Sequence, residues 1–362
     1  MSLLVEGIIN SKSSNLKEIA NHVDSDVSVD SVYRRFQRFF EKEMDLTGIG
    51  LYCLDTFLQM LTKNIDEPIS IYLIIDRCHW KYGEKDNNLL VLHVYEPLTG
   101  IDFPIKAIDL CRPGNSSYSD REYILRNILS YIEPYIESGS VNVSVLGDRE
   151  FNGKSWEDYL KLNNMSYILR IKRDYYLPDG RQIVDIYNDL RTGEVVDLRC
   201  DGWRVIVKKL EEIKGRRDSC LAVVTLNMDA EAEEVLREYG LRWGIERGFF
   251  NLNTNGFELK TTHLTNPFRI EMMFYILSFC YFLSVICGYI ISRIKRITIK
   301  KHGYKCISRF LSGLRAIVRL RYQKMVDDMV LAFKQFMLLD LLNSFNLIKK
   351  DLVNRLVALG VV

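Results

Sequence analysis

No C-x-x-C pair occurs among the eight cysteines, Cys53, Cys78, Cys111, Cys200, Cys220, Cys280, Cys287 and Cys306. Cys78 and His79 are adjacent, a spacing unsuited to a zinc site. No secretory leader opens the chain, so the thiols are expected to be reduced and the protein cytoplasmic. No internal repeat and no low-complexity tract is present. Between Arg293 and Lys324 there is no Asp or Glu at all. What is there instead is the composition of a soluble globular protein. The 362 residues are 48% hydrophobic and 27% charged, long enough for two or three domains around a large core.

The acid-free segment carries eleven Lys or Arg, among them Arg293, Lys295, Arg296, Lys300 and Lys301, with Tyr304, Phe310 and Tyr322 interleaved. The net charge of +2 therefore conceals a basic segment on an otherwise acidic chain. Such a concentration is the electrostatic footprint of a polyanion-binding protein, and nucleic acid is the expected partner. Just before it, Met272 to Ile291 is a run of 20 residues without a charge, long enough to span a bilayer. It also holds serines, cysteines, tyrosines and Gly288, and it is the only such run. An all-round apolar helix is equally the central helix of a large soluble core, which is the reading adopted.

Along the chain, residues 1–66 read as helical. "NLKEIANHV" has Leu16, Ile19, Ala20 and Val23 at helical spacing behind an Asn15/Glu18 capping pair. "SVDSVYRRFQRFFEKE" sets Val32, Tyr33, Phe36, Phe39 and Phe40 against Arg34, Arg35 and Arg38. That pattern suits a DNA-binding helical region and equally an ordinary helical hairpin. Strands follow at 70–76, 88–97 and 102–110, then a helix, a strand at 141–147, a helix at 155–163 and a strand at "SYILRIK". Three strands, helix, strand, helix, strand is an α/β order. Residues 174–226 read as an insertion of further strands, and from Glu231 the chain is almost wholly helical.

The strand "SIYLIID" ends on Asp76, and "VNVSVLGD" ends on Asp148. If the two run parallel in one sheet, both carboxylates emerge at the edge where α/β sheets bind ligands. Their mutual repulsion is relieved by a divalent cation, and oxygen-only ligation suits Mg²⁺ or Mn²⁺. A third carboxylate would complete a two-metal site able to clamp both oxygens of a phosphodiester. Tyr239, Arg242, Glu246 and Asn253 fall at i, i+3, i+7 and i+14, one stripe of a helix, which makes Glu246 the candidate. Glu150 is a rival if the chain stays extended after Asp148. Trp243, Phe249 and Phe250 read as core, His79 and Trp80 as supporting or packing groups, and Asp109 as a local cap.

These stretches resemble a known family. "DRCHWKYG" at 76–83, "KAIDLCRPGNSS", "GDREFNGKSWEDYL" at 147–160 and "YGLRWGIERGFF...NGFELKTTHL" at 239–264 look like a bacterial insertion-sequence transposase of the DDE class, insertion-sequence family four, with its Y-R-E-K motif. The resemblance covers most of 68–310. It implies a ribonuclease-H-like mixed sheet flanked by helices, with the core at 67–173 and 227–300. A β insertion at 174–226 precedes the last catalytic helix, and helical regions lie at 1–66 (DNA-binding) and 301–362.

The resemblance further implies that Asp76, Asp148 and Glu246 are catalytic and hold two Mg²⁺ (or Mn²⁺) ions. Tyr239 and Arg242 are expected on the DNA backbone, and Arg149 to orient Asp148 or a phosphate. The family lysine is Asn253 here, with Lys260 seven residues on, and Cys78 stands where a small hydroxyl residue is expected. Trp203 is the candidate for stacking a flipped base, or else packs the insertion's own core. Lys208, Lys209, Lys214, Arg216 and Arg217 line a DNA channel or are simply solvated. The implied function is cleavage at the element's own ends and transfer of the 3′-OH to target DNA. The working form is a homodimer on double-stranded DNA, in the bacterial cytoplasm at the nucleoid, with no membrane. The alternatives are a decayed copy that binds without cutting, another two-metal nuclease, and a membrane protein.

Overall fold

The computed structural model describes residues 1–63, 67–212, 219–301 and 305–319. Four helices open the chain: α1 (Ser2–Ser11), α2 (Leu16–Asn21), α3 (Val29–Glu41) and α4 (Thr47–Thr62). The strands β1 (Ile69–Tyr82), β2 (Lys85–Glu96) and β3 (Ile101–Asp109) follow, then α5 (Tyr118–Glu137), β4 (Val141–Gly147), α6 (Lys154–Leu162) and β5 (Ser166–Arg170). Next come α7 (Ile183–Asp189), β6 (Val195–Cys200), β7 (Trp203–Lys209) and β8 (Cys220–Thr225). The described chain closes with α8 (Ala232–Gly240), α9 (Trp243–Phe250), α10 (Pro267–Ile294) and α11 (Arg309–Arg319). The eight strands stand in the order β3-β2-β1-β4-β5-β8-β7-β6, a mixed sheet with flanking helices and hence an α/β fold.

The chain divides into two units, Met1–Ile69 with Arg77–Pro113 and Arg247–Val362, and Ser70–Asp76 with Gly114–Glu246. In the first unit the helix ends are set by local chemistry. The Asn15 side chain accepts from the Lys17 and Glu18 amides, and Ser28 from that of Ser31, each cap being worth about 1 kcal/mol. On α3, Val32, Phe36 and Phe40 are buried at four-residue spacing while Arg34, Arg35 and Arg38 are exposed. β2 and β3 pair antiparallel with Glu96 opposite Ile101, a short reversal fixed by the buried Glu96 carboxylate, which accepts from the Leu98 and Thr99 amides.

The long apolar run is the core helix of this unit. α10 starts at an Asn266 cap with Pro267 at its first position and is buried almost all round. By length and composition it could cross a membrane, yet 83% of its most apolar stretch is buried inside the protein. Phe282 packs edge-on against Phe103 at 4.6 Å, and Phe103 against Phe57 at 5.3 Å. α11 lies so close that a Cβ on Gly313 would stand 1.8 Å from the Ser284 carbonyl oxygen, and one on Gly288 1.9 Å from that of Arg309. Phe310, counted above among the aromatics of the basic segment, is core instead: 3% exposed and stacked on Tyr281 at 4.6 Å.

In the second unit β4 and β5 pair in parallel, with Gly147 beside Leu169. β8 pairs antiparallel with β5, and β7 with β8 and β6. The strands after residue 174 thus extend the same sheet, and Ile183–Asp189 is a helix rather than a strand, closed by a Gln182/Asp185 capping box. Arg204, fully buried on β7, donates to Asp197 Oδ2 across the hairpin at 2.8 Å and to the Ala230 carbonyl, so its charge is paired where it is desolvated. α5 begins with a Ser117/Asp120 capping box.

Candidate active site

Ile71 to Ile75 are all buried, as in a strand covered on both faces. The expectation that this strand stops at Asp76 is corrected: β1 continues through it to Tyr82. A half-buried carboxylate is tolerated in the strand because Arg242 Nη1 donates to Asp76 Oδ2 at 3.2 Å.

Asp148 directly follows β4 in extended conformation and caps a 3-10 turn, Arg149–Phe151, with the Phe151 amide bonded to the Asp148 carbonyl at 2.8 Å. Gly147 is required there, since a Cβ would stand 2.6 Å from Phe151 Cβ. The turn also answers the Glu150 alternative. The chain is not extended after Asp148, and Glu150 Oε1 accepts from the Ser116 amide at 2.7 Å and its hydroxyl at 2.8 Å. Buried Arg121 completes this clamp, donating to Ser116 Oγ and O at 3.1 Å each and to the Glu150 carbonyl at 2.6 Å. Arg149 is half-buried on the turn. Asp148 Oδ1 is buried without a hydrogen-bond partner, with Arg170 Nη1 3.8 Å away.

Glu246 lies on the exposed side of α9, one turn after Arg242, whose Nη2 donates to Glu246 Oε1 at 2.9 Å. Arg242 is 6% exposed. Burial works against its charge, but Tyr239, Asp76, Asp148 and Glu246 around it outweigh that and raise its pKa. Tyr239, buried at the end of α8, is pushed up to about 12 by burial, with Arg242 and Asp148 beside it pulling in opposite directions. Two carboxylates far apart in the chain, Asp76 and Glu246, are therefore bonded to one guanidinium within a single unit, and Asp148 acts on it electrostatically.

The expected stripe is interrupted. α8 ends at Gly240, the chain tightens through Arg242 N to Tyr239 O at 3.0 Å and Gly244 N to Leu241 O at 2.8 Å, and α9 begins at Trp243. After Phe250 the helix widens into a π turn, Asn251–Asn255, so Asn253 does not continue the line to i+14. Asn253 instead donates to Cys78 Sγ at 3.6 Å in the first unit, joining the two positions where a lysine and a small hydroxyl residue were expected. Trp243 and Phe250, expected in the core, are 60% and 55% exposed. The buried side of α9 is taken by Ile245 and Gly248, and Gly248 lies so close to the His93 ring that a Cβ would approach it to 2.4 Å.

The remaining candidates are placed as follows. Trp203 is half-buried at the start of β7 opposite Cys200. Lys208 pairs with Glu233 at 2.7 Å and Lys209 sits over the Tyr187 ring at 4.8 Å, so both have partners within their unit. Lys260 is exposed on a short 3-10 turn of the first unit, as are Arg293, Lys295, Arg296, Lys300 and Lys301 beyond α10 or at its end. Lys214, Arg216, Arg217, Tyr304, Tyr322 and the segment from 320 onward lie outside the described residues. Trp80 is buried, His79 is exposed and paired with Asp86, and Asp109 Oδ1 caps the Cys111 amide at 2.9 Å.

Sequence reasoning missed Arg121 and Arg170. Arg170 has one faint signal, its place at the end of β5. The Gly147–Leu169 register sets the next residues, Asp148 and Arg170, side by side. Nothing in the sequence singles out Arg121.

An all-oxygen donor set suits Mg²⁺ or Mn²⁺ chemically, and the orphaned Asp148 oxygen is what such an ion would satisfy. The arrangement itself does not fit one. Among the described residues no three His, Cys, Asp or Glu side chains are placed to hold a metal ion. One oxygen of each of two of the three acids, Asp76 Oδ2 and Glu246 Oε1, is engaged by Arg242.

Comparison with known proteins gives a family match. The sequence matches the transposase DDE domain over residues 75–283, more than half of the chain. No protein with a curated description matches. One similar solved structure is the piggyBac transposase synaptic complex with hairpin DNA, at 10% identity and TM-score 0.43, covering 74% of this chain and 56% of that one. Another is the Argonaute of Marinitoga piezophila with 5′ OH guide RNA and target DNA, at 19% identity and TM-score 0.27, covering 50% of this chain and 26% of that one. Scores this low do not establish a shared fold.

Proposed function

Because the chain belongs to the transposase DDE domain family, we propose that it cleaves phosphodiester bonds at the ends of its own insertion sequence and transfers the freed 3′-OH ends to target DNA. Asp76, Asp148 and Glu246 are the reacting carboxylates, in a ribonuclease-H-like core of the insertion-sequence-four, Y-R-E-K type. The observation that carries this reading is the bonding of Asp76 and Glu246 to buried Arg242, with Asp148 among the charges that raise its pKa. Part-exposed acids gathered beside a buried guanidinium, whose paired N–H groups can also meet a phosphate, are suited to phosphoryl groups. Tyr239 and Arg149 flank the same carboxylates and are assigned to positioning the scissile phosphate.

Water and then the 3′-OH are the nucleophiles, and no covalent protein intermediate is needed. The family's chemistry would call for two Mg²⁺ or Mn²⁺ ions to supply Lewis acidity toward the phosphodiester, and the side chains of Asp76, Asp148 and Glu246 as they stand here do not form a site for one. The α3 arginines, Lys260 and the exposed bases from Arg293 to Lys301 are assigned to DNA phosphates, which position a protein without reading sequence. Trp203 keeps the stacking assignment, and exposed Trp243, adjacent in sequence to Arg242, is a second candidate. The working form is a homodimer on two DNA ends, in the cytoplasm at the nucleoid.

The test is cleavage of duplex DNA carrying the inverted repeats that flank the gene. Mg²⁺-dependent nicking at the repeat boundary is expected from the wild type, and none from Asp148→Asn. Cleavage without repeat preference would indicate another nuclease. A second reading, a copy that binds without cutting, is favoured by Asn253, whose amide is given to Cys78. It predicts repeat binding with no nicking in any divalent ion.

A further inference from the structure

The sheet has two outer strands, β3 and β6, and among the described residues only one of them is covered. The outward backbone of β3 is answered on all sides. A Cβ on Gly50 of α4 would stand 1.8 Å from the Ile105 carbonyl oxygen, Tyr275 donates to the Ala107 carbonyl at 3.1 Å, and the Asp109 amide donates to Glu271 Oε1 at 2.8 Å. On β6 the Lys209 amide donates to the Glu194 carbonyl, which sets the ladder to β7 on even-numbered residues. Val195, Asp197 and Arg199 therefore turn their N–H and C=O groups away from β7. Among the described residues no hydrogen bond reaches those outer groups. β6 carries no proline and pairs to β7 without a bulge, so two devices that otherwise guard an open edge are missing. Val195, Val196 and Leu198 are only half-buried.

We propose that β6 is an interaction edge for a second copy of this chain, the two strands pairing antiparallel across a twofold axis at Leu198. Charge complementarity selects both the partner and the register. With Leu198 opposite itself, Asp197 of each copy lies opposite Arg199 of the other, at positions whose N–H and C=O groups both point across the joint. Centring the axis on Asp197 or on Arg199 sets that residue against its own copy, and like charges directly opposite are destabilising. A register midway between these sets an outward residue against an inward one and loses the ladder. Arg199 is 58% exposed, with its Nε 3.5 Å from Asp197 Oδ2, while Arg204 holds Asp197 in place at 2.8 Å. The joint covers the half-buried valines and Leu198. This pairing goes beyond the homodimer on DNA ends proposed above: it needs no DNA, and its failure leaves the cleavage reading untouched.

The experiment is sedimentation velocity on the full chain without DNA, over a concentration series. A short edge makes a small interface, so the wild type is expected to pass from monomer to dimer at on the order of 10 μM. Arg199→Glu should weaken the dimer about tenfold or more, because two attractive pairs become repulsive. Arg199→Lys keeps the charge and should stay within about threefold of wild type. Arg199→Pro removes an outward N–H without removing a bond to β7, and should abolish the dimer. Asp197 is left intact, since replacing it would leave the buried Arg204 charge unpaired. Under mild oxidation Leu198→Cys should cross-link to its own copy above the wild-type background, because residues facing across the axis come within disulfide reach, and Val195→Cys should not.

A wild type that stays monomeric to about 100 μM overturns the proposal and gives the edge to some other occupant. A dimer that Arg199→Glu leaves unchanged is built on another surface and overturns it equally. A dimer that Arg199→Glu weakens but Leu198→Cys does not cross-link refutes the register. Should Arg199→Pro fail to fold, Arg199→Glu decides, since that side chain is exposed.

Discussion

Arg121→Leu isolates the support under Asp148 without touching a carboxylate. Arg121 makes three bonds, to Ser116 Oγ and O at 3.1 Å and to the Glu150 carbonyl at 2.6 Å, and its guanidinium lies 5.4 Å from the centre of the Phe151 ring. A hydrogen bond from a charged group is worth about 1.5–3 kcal/mol. Three from one group do not add fully, because they are lost together and leucine recovers some apolar burial. The expected destabilisation is about 3–5 kcal/mol, the usual range when one partner of a buried charged network is removed. That is below the total stability of a typical domain, about 5–15 kcal/mol, so the protein should still fold.

The local consequence is larger than the global one. The Arg149–Phe151 turn begins at Asp148, and displacing a reacting group by about 1 Å costs on the order of 100-fold in rate. Urea unfolding monitored by tryptophan fluorescence, paired with nicking of repeat-end duplex at saturating Mg²⁺, measures both effects. Arg121→Lys, which keeps a charge but not the fork, should recover stability only in part. If Arg121→Leu unfolds within about 1 kcal/mol of wild type and nicks at the wild-type rate, the clamp argument is wrong.

Other consequences are as direct. Asp148→Asn should remove strand cleavage while leaving urea stability unchanged or raised, because Asp148 Oδ1 is buried without a hydrogen bond. Trp243→Ala should alter stability by no more than about 0.5 kcal/mol, as its ring is 60% exposed, and a larger loss would show the ring to be packed. Gly313→Val should cost about 3 kcal/mol, since its Cβ would sit 1.8 Å from the Ser284 carbonyl oxygen and force α10 and α11 apart; circular-dichroism melting reads this. Burial holds the Lys106 ammonium down to about 8, against the pull of Asp45 and Glu271. Between pH 8 and the unfolded value of about 10.4 this lysine holds more protons in the unfolded chain, so its own contribution to stability rises with pH in that window. Buried Cys53, Cys280 and Cys287, whose thiols burial pushes up, contribute with the opposite sign. The stability difference between Lys106→Met and wild type in urea titrations should therefore shrink as pH rises through it.

Much of the secondary structure was legible because it is local. The alternation in "VNVSVLG", the apolar run of β1 and the Asn15 cap each state their conformation within a few residues. The α/β order followed from that succession, and the core-helix reading of the run from 272 to 291 agrees with the burial of α10. What failed depended on neighbours outside the window. A strand reads as ending on Asp76 only while Arg242 is unseen. Trp243 and Phe250 read as core because helical spacing cannot say which side of α9 faces solvent. Phe310 read as part of a nucleic-acid surface because its stacking partner, Tyr281, lies on another helix.

By itself the sequence determined most of the helices and strands, because spacing and apolar pattern act over a few residues, and with the family resemblance it offered three acids to examine. Tertiary structure alone decided what those acids face. The bonds from Arg242 to Asp76 and Glu246, and the β4–β5 register that sets Arg170 beside Asp148, exist only once distant segments pack. Charge interactions act through space, and no local pattern records them.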